Sequence, residues 1–579
     1  MRIKHFFGLA VIAAMTASCS SNNDLVVGGG NGSGENASGA SYASFSINLP
    51  TTSGTRADAN PEFKPGDANE YDVFNATLLV FKKPTAATSE GEYTFVEHVD
   101  LGSMQPWKSS SETGVTTQAK ITAKLSKVDK SGEYFALVLL NNGSGTDAKV
   151  NLPTDEPTTT YSAWNKAANA TDKFDKTDKG FYMANAPLFK NNSVTTLVAI
   201  DNSKIFPTEA QASSGEAAAD IYVERGLAKV TLTEDTKAEK TVGDGSSYAG
   251  DVVTINNWAL DVTNKKTFPI HNVDGLSTDY ENIWKNDETA TAAPSTQRFV
   301  DNSKAIAKRV YWGTDPNYKE TNLSAETKES KDAREKNFNY IKKENLTAKP
   351  TDPLYCLENT FNVANMLQEQ TTRVVFKGTY TPKSITADAN GTFYKIGKNV
   401  ALWNSEDLKK HIVAAVTKVV DGASAAGTTI DVDLDATDNK LTVAGNRLLD
   451  KKNISVNGIE LTQPQVDAVN EKLGLSKGYG ISTYEKGESY YIARIKHFGD
   501  ALTPWNPGEA YNGDNLKYLG RYGMLRNNWY ELNVQSVSGP GYPDVPDVKP
   551  NTPDDEIDKY IKVSVNILHW AKRSQDVNL

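Results

Sequence analysis

Short runs of β-branched and aromatic residues recur along this chain, and clusters of Gly, Asn, Asp and Pro separate them. Such runs favour β-strands because branched and aromatic side chains fit a pleated surface, and such clusters are typical of turns. The sequence therefore predicts a mainly β protein with large loops. The candidate strands span residues 71–83, 132–141, 221–232, 252–263, 371–380 and 489–497.

A few segments between the strands have other patterns. Apolar residues recur at helical spacing in residues 405–420 and 463–473, which predicts two helices. Residues 318–349 are highly charged and lack an apolar stripe, so we expect a solvated helix or a mobile insertion there. A shift toward Ala, Ser and Gly at residues 211–219 marks the expected domain boundary, which we place just before Ile221.

The composition excludes several classes of function. The chain has 579 residues and a formal net charge of -10, whereas nucleic-acid and anionic-membrane binders need clustered positive charge. Its 2 cysteines rule out a disulfide framework and the usual cysteine-rich zinc sites, and its 6 histidines include no pair at metal-ligand spacing. We therefore expect no metal, no cofactor and no nucleic-acid partner.

No pattern in the sequence indicates an enzyme, and we predict no catalytic residues. The 9 Trp, 25 Tyr and many carboxylates prompt the alternative of a glycosidase or a surface glycan-binding protein. A glycosidase needs two carboxylates about 5 to 10 Å apart, and no Asp or Glu pair stands out from the surface background. Four tryptophans lie in or beside strand-like runs, where core packing is their ordinary role: Trp258, Trp312, Trp403 and Trp529.

The N-terminus has the features of an export signal. A short cationic region precedes an apolar run of about ten residues, Phe6 to Met15, which is too short to span a bilayer. Small residues then lead to Cys19, as in a bacterial lipoprotein signal, although Thr16 stands where an aliphatic residue is usual. The alternative is an ordinary signal peptide with an incidental cysteine. Acylation of Cys19 would leave Cys356 as the one remaining thiol, which we expect to be buried.

Two segments near opposite ends of the chain alternate apolar and polar residues, which predicts strands that bury one face. Both contain the order apolar, serine, apolar, asparagine, apolar. A polar loop with a single arginine, Arg56, follows the first segment and is a candidate site of proteolysis. The apolar positions are Ala43, Phe45, Ile47 and Leu49 in the first segment and Ile561, Val563, Val565 and Ile567 in the second.

A proline-rich arm, residues 539–556, precedes the second segment. Regularly spaced proline favours polyproline II, so the arm could reach roughly 55 Å and carry the strand away from its parent domain. If a protease cut after Arg56, the first strand could leave its sheet, and the terminal strand of a second molecule could enter by β-strand addition. Burying four aliphatic side chains would contribute roughly 6 to 12 kcal/mol before ordering costs. Repeated contacts between groove and strand would build a filament.

These features together resemble the Bacteroidales fimbrillins, and among them the Mfa-type group, whose members build the shaft of the short or minor fimbria. The resemblance rests on the lipoprotein-type Cys19, on the junction between Arg56 and Ala57 after a Leu-Pro strand end, and on the arm before a terminal strand. The internal segments that support it are residues 222–230, 258–263, 309–312, 355–360 and 522–530. The last of these looks like the family's arginine-asparagine-x-tyrosine signature, although two asparagines and a tryptophan occupy the space. We assign it to an ordinary strand.

The resemblance implies two transthyretin-like β-sandwich domains with a few helices in insertions. It also implies lipoprotein export to the outer membrane, acylation of Cys19 with a lipid such as palmitate, and cleavage between Arg56 and Ala57 by an arginine-specific protease. The donor strand would run from Tyr560 to Leu568. The implied organisation is a signal peptide at 1–18, a lipidated propeptide with a removable first strand at 19–56, an N-terminal sandwich at 57–220, a C-terminal sandwich at 221–538, and the arm with its donor strand at 539–579.

The implied function is that of a fimbrial shaft subunit at the cell surface, which polymerises with copies of itself and serves adhesion, biofilm formation and virulence. The implied partners are accessory and anchor fimbrial subunits, the protease, and host or bacterial surface ligands, with the membrane contacted through the precursor lipid alone. The alternatives are an accessory or tip adhesin and a surface glycan-binding lipoprotein. A tip protein has no need of a donor strand, so the terminal segment favours a shaft subunit.

Overall fold

The computed structural model is mainly β with a few helices, as the sequence predicts. The predicted signal peptide, Cys19, Arg56 and Ala57 lie outside the residues it describes. The described residues are 41–49, 67–103, 118–129, 131–154, 159–167, 174, 180–190, 193–276, 308–320, 323–499, 502–504, 516–553 and 561–569.

Each of the six internal runs predicted from the sequence overlaps at least one strand, and the structure has many further short strands. The strands up to residue 225 are β1 (Ser41–Asn48), β2 (Asn75–Lys82), β3 (Thr94–Ser103), β4 (Gln118–Leu125), β5 (Tyr134–Leu140), β6 (Met183–Asn185), β7 (Leu188–Lys190), β8 (Ser193–Thr195), β9 (Val198–Ala199) and β10 (Ala219–Arg225). The next are β11 (Leu227–Leu232), β12 (Lys240–Thr241), β13 (Val252–Asp261), β14 (Thr263–Asn264), β15 (Lys308–Arg309), β16 (Phe338–Asn339), β17 (Leu354–Leu357) and β18 (Arg373–Thr381). The last are β19 (Phe393–Ile396), β20 (Leu402–Trp403), β21 (Ile430–Val432), β22 (Gly445–Arg447), β23 (Ile454–Val456), β24 (Ile459–Glu460), β25 (Ile481–Tyr484), β26 (Glu488–Arg494), β27 (Asn528–Val537) and β28 (Ile561–His569).

The structure describes fewer helices than strands. The α-helices are α1 (Tyr161–Ala167), α2 (Glu209–Ser214), α3 (Glu234–Lys237), α4 (Lys328–Asn337), α5 (Ser405–Val419) and α6 (Gln463–Lys472). Single 3₁₀ turns lie at Ala68–Tyr71, Glu90–Glu92, Gly145–Asp147, Asn202–Lys204, Lys343–Asn345, Val363–Asn365, Lys451–Asn453, Glu485–Gly487 and Leu516–Tyr518.

The first sheet has eight strands in the order β3-β2-β5-β6-β10-β1-β4, with β9 paired to β5. Its core consists of fully buried aliphatic and aromatic side chains from β1, β2, β5 and β10. The two end strands meet at Glu97 of β3, whose carboxylate accepts hydrogen bonds from the backbone N–H groups of Ser126 at 3.0 Å and Lys127 at 2.9 Å, just beyond β4. This carboxylate therefore joins the two ends of the sheet.

Two four-stranded sheets form a sandwich in the second half of the chain. Their orders are β17-β11-β27-β28 and β12-β13-β18-β26. Alternate residues of β11 and β27, such as Val230 and Leu532, share one buried cluster with Val374 and Phe376 of β18. The alternation arises because successive side chains of a strand point to opposite faces.

The backbone changes sheets at Gly226, between β10 and β11. A Cβ atom at this position would lie 2.7 Å from the Phe174 ring and 2.9 Å from the Tyr182 ring, so a larger residue would collide. The predicted strand at 221–232 is thus two strands in different sheets. The boundary that we expected just before Ile221 falls inside β10, which pairs with β1.

Buried polar groups just before β27 hold this segment against other parts of the chain. The Arg526 guanidinium donates to the Glu358 carboxylate at 3.2 Å and to the Thr267 hydroxyl at 2.8 Å. The side-chain oxygen of Asn527 accepts the backbone N–H of Arg225 at 3.2 Å. We assigned the run at 522–530 to an ordinary strand, but β27 begins only at Asn528. The residues before it have another role, since Asn527 accepts a hydrogen bond from β10 of the first sheet.

The two predicted helices form an insertion between β18 and β26, which are neighbours in one sheet. Helix α5 begins after Asn404, whose side chain accepts the N–H of Asp407, and it buries Leu408, Ile412 and Val416 as the spacing predicts. Helix α6 packs in the same apolar cluster. The predicted spans 405–420 and 463–473 are confirmed to within one residue at each end.

Helix α4 lies in the charged segment, and its packing differs in part from the expectation. It buries Ser330, Arg334 and Asn337. The Arg334 guanidinium donates to the backbone carbonyls of Leu323 and Ala325. Six of its ten residues are exposed, so the expected solvated helix is confirmed on that side, while the buried face is polar and leaves no apolar stripe in the sequence.

The proline-rich arm lies along its own chain over its described residues, up to 553. Tyr542 exchanges two backbone hydrogen bonds with Tyr490, and the Arg373 guanidinium donates to the Pro546 carbonyl at 2.6 Å. The N–H of Asn551 donates to the Glu369 carboxylate at 3.1 Å. Our expectation that the arm carries the terminal strand away from its parent domain is therefore not met in the single chain, where β28 pairs with β27.

Candidate functional site

Strand β1 and the residue that follows it contribute four side chains to the core of the first sheet. Ala43, Phe45, Ile47 and Leu49 are each 0% exposed, and all four belong to one apolar cluster with the neighbouring strands. The structure therefore brings together the four apolar residues that the sequence assigns to a removable strand. Burial of the three larger side chains contributes about 1.5–3 kcal/mol each to holding the strand in place.

Strand β1 has a neighbour on each side. Every residue from Ser41 to Asn48 pairs antiparallel with β4, and residues 45–48 also pair parallel with β10. The strand is therefore an interior member of the sheet, and its departure would leave a groove between β10 and β4. Hydrogen-bonding edges of both strands would line this groove.

The opposite face of β1 is covered by α2. The Ser44 hydroxyl donates to the Ala212 carbonyl at 2.6 Å and lies 2.9 Å from the Thr122 hydroxyl of β4. Thr122 in turn lies 2.9 Å from the Ser213 hydroxyl. Sequence reasoning missed this cover, because α2 is a six-residue helix with one buried side chain and has no strong periodic signal.

Residues 67–71, which follow Arg56 in the sequence, are held in place by ion pairs and a hydrogen bond. The Glu70 carboxylate is fully buried, lies 2.6 Å from the Lys229 ammonium and accepts a hydrogen bond from the Tyr355 hydroxyl at 2.7 Å. Asp67 also contacts Lys229, at 3.0 Å. Burial, together with the Glu70 carboxylate, raises the pKa of Tyr355 well above its ordinary value. This anchor joins residues 67–71 to β11 and β17, so β1 could leave without releasing the chain that follows.

Strand β28, the predicted donor, lies at the edge of the second sandwich. It runs antiparallel to β27, with Ile561 opposite Val537 and His569 opposite Asn528. Among the strands that the structure describes, β28 pairs with β27 alone, whereas β1 pairs with both β10 and β4. The structure thus places Ile561, Val563, Val565 and Ile567 on a strand, and it does not bring them near the groove of the same chain.

Cys356 is free and buried, as predicted, and burial raises the pKa of its thiol to about 12, so it stays protonated near neutral pH. Within the described ranges, no group of three or more His, Cys, Asp or Glu residues could hold a metal ion. None of the helices that the structure describes combines the length and apolar character needed to cross a membrane.

The C-terminal part of the chain matches a known family. Residues 482–576 match the family model described as major fimbrial subunit protein type IV, fimbrillin, C-terminal. No curated protein matches the chain. A solved structure of a candidate cell adhesion protein from Parabacteroides distasonis ATCC 8503 aligns with 92% of this chain and 98% of its own, at 11% identity and a TM-score of 0.37.

Over residues 482–576 the chain is similar to the C-terminal region of a major fimbrial subunit protein. The matched segment includes β26, β27 and β28, that is, the strands beside the arm and the terminal strand itself.

Proposed function

We propose that this chain is the shaft subunit of a bacterial surface fimbrium of the Mfa type. The precursor is exported as a lipoprotein acylated at Cys19, and an arginine-specific protease cuts it between Arg56 and Ala57. Strand β1 then leaves the first sheet, and the terminal strand of the next subunit takes its place. The observation that carries this proposal is the position of β1 between β10 and β4, N-terminal to the proposed cut.

The number of neighbouring strands favours the exchange. In its own chain, β28 has β27 as its one hydrogen-bonded neighbour, whereas in the groove it would have both β10 and β4. Each additional backbone hydrogen bond contributes about 0.5–1.5 kcal/mol net. Once the groove is empty, the move of β28 from an edge to an interior position is therefore favoured by the added backbone hydrogen bonds.

The two halves have the organisation that a polymerising subunit needs. We propose an N-terminal domain that carries the groove and a C-terminal domain that supplies the strand, each a transthyretin-like sandwich. The contact between groove and strand is heterologous, so repetition gives an open filament rather than a closed pair. Accessory and anchor subunits, and surface ligands that mediate adhesion and biofilm formation, would be the other partners.

Cleavage of the purified precursor tests the proposal directly. Trypsin treatment that removes residues 1–56 should give filaments by electron microscopy and ladders on SDS gels without boiling. An Arg56→Lys variant is a matched control, because trypsin cuts it and an arginine-specific enzyme does not. This variant should polymerise with trypsin in vitro and should accumulate as lipidated precursor in cells. Persistent monomer after confirmed cleavage at residue 56 would overturn the shaft assignment.

Truncation of the terminal segment separates the donor from the groove. A chain that lacks residues 557–579 should fold and be cleaved but should not polymerise alone, because it keeps the groove and loses the strand. The shorter deletion of residues 570–579 keeps β28 and serves as the control. Normal assembly of the longer deletion would show that the terminal segment is not the donor.

A further inference from the structure

The apolar pattern of β1 does not by itself define a register. A shift of the incoming strand by one residue turns its apolar side chains to the wrong face, but a shift by two residues returns them to the core. A strand with four alternating aliphatic residues could therefore enter the groove in several registers. A polar contact that depends on one residue would remove this ambiguity.

Asn48 makes such a contact in the unexchanged chain. It is 8% exposed, and its side-chain amide donates to the Asp220 carboxylate at 2.6 Å and to the Ile221 carbonyl at 3.1 Å. The other carboxylate oxygen of Asp220 accepts the Tyr222 hydroxyl at 3.1 Å. Asp220 and Tyr222 are on β10, one wall of the groove.

The terminal segment has an asparagine at the matching position. When Asn566 is aligned with Asn48, Ser564 falls on Ser46 and Tyr560 on Tyr42, and the four apolar residues fall on those of β1. A two-residue shift would place either Ser564 or Leu568 at the position of Asn48. Leucine has no donor, and the serine hydroxyl is shorter than the amide by one carbon, so neither reproduces the contact.

We propose that Asp220 sets the register of strand exchange. It accepts a hydrogen bond from Asn48 in the precursor and from Asn566 of a second copy of this chain in the polymer. The incoming strand then runs parallel to β10 and antiparallel to β4, as β1 does. This inference rests on the proposed strand exchange and names the residue pair that aligns it.

One position distinguishes the two strands. Lys562 falls where β1 has Ser44, whose hydroxyl lies under α2. A lysine needs more room than a serine, so α2 must shift when the second copy enters. The apolar and asparagine positions are unaffected by this difference, because they lie on other parts of the groove.

An exchange of the two polar groups tests the register assignment in the cleaved full-length chain. Asn566→Asp places a carboxylate against the Asp220 carboxylate and should slow filament formation at least tenfold. Adding Asp220→Asn restores an amide facing a carboxylate and should return the rate to within about threefold of the unmodified chain. Asn578→Asp adds the same charge beyond the strand and should have no effect. Thermal unfolding of each uncut variant checks that the first sheet remains folded.

A cysteine pair reports the register itself. Ser46 lies opposite Lys120 of β4, so Ser564→Cys and Lys120→Cys should form a disulfide between subunits. In an Asp220→Leu background, the yield of this disulfide should fall. The yield of the disulfide between Lys562→Cys and Lys120→Cys should rise instead. Unchanged rates for Asn566→Asp together with an unchanged disulfide pattern in Asp220→Leu would overturn the role of Asp220 while leaving strand exchange intact. Failure of the unmodified chain to polymerise after cleavage would instead overturn the proposed function.

Discussion

Shortening Ile47 to alanine should weaken the hold of the first sheet on β1. Ile47 is 0% exposed and contributes its whole side chain to the core beside β10 and β4. An Ile→Ala change at such a site costs about 2–5 kcal/mol, from lost burial and from the cavity that remains. After cleavage at residue 56, this loss weakens the non-covalent binding of the freed N-terminal segment to the groove.

The corresponding change in release rate is large. A loss of 2–5 kcal/mol corresponds to roughly 30-fold to 4,000-fold in the equilibrium constant, and such differences appear mostly in dissociation. The assay uses a soluble precursor that begins after Cys19 and carries a fluorophore at its N-terminus. After cleavage, the decay of fluorescence anisotropy in excess unlabelled segment gives the release rate.

A matched variant on the same strand isolates the contribution of burial. Ser41 is half-buried at the start of β1 and contributes no apolar side chain to the core, so Ser41→Ala should change the release rate less than about threefold. Ile47→Ala should also speed the onset of polymerisation if release of β1 limits it. Equal release rates for Ile47→Ala and Ser41→Ala would refute the argument that core burial retains the strand.

Three further variants probe the framework around the groove. Lys229→Met removes the ammonium that neutralises the buried Glu70 carboxylate and should lower the free energy of unfolding by about 3–5 kcal/mol in urea titrations, and adding Glu70→Gln should recover part of the loss. Gly226→Ala should cost about 1–3 kcal/mol in the same assay because its Cβ meets two aromatic rings, whereas Gly243→Ala, with open space around it, should be nearly neutral. Burial raises the pKa of Glu90 to about 7. The folded state therefore holds an extra proton between the ordinary pKa of 4.5 and pH 7, and stability should fall across this window as the pH rises, by on the order of 3 kcal/mol. Urea unfolding at pH 5 and pH 8 should show a smaller loss in Glu90→Gln than in the natural chain, with the remainder due to Asp315, whose pKa burial also raises to about 7.

Features with a strong local period could be predicted from the sequence. The alternation in residues 43–49 predicts β1 and its buried face, and the helical spacing in residues 405–420 predicts α5. These patterns suffice because each element buries a continuous apolar face, whose period depends on the backbone geometry alone. The class of fold follows from many such segments together.

Features that depend on distant partners could not be predicted. The parallel pairing of β1 with β10 joins residues more than 170 positions apart, and no local pattern records it. The buried face of α4 is polar, so its packing resembles solvent exposure in the sequence. Gly226 gives no sign that it separates two sheets, because the clash that excludes a larger residue comes from Phe174 and Tyr182, which lie far away in the chain. For the candidate site, the sequence identified both strands and missed the cover formed by α2.

The anchoring of the arm limits how far apart two linked subunits can be. If the contacts made by residues 542–553 persist in the polymer, the connection to β28 is the seven residues 554–560. Seven extended residues span at most about 25 Å. The groove of one subunit must then lie within that distance of Pro553 of the other, so the bodies of successive subunits touch or nearly touch. Such a fibre would resist bending at every joint and would transmit tension through the backbone ladders on both sides of the exchanged strand.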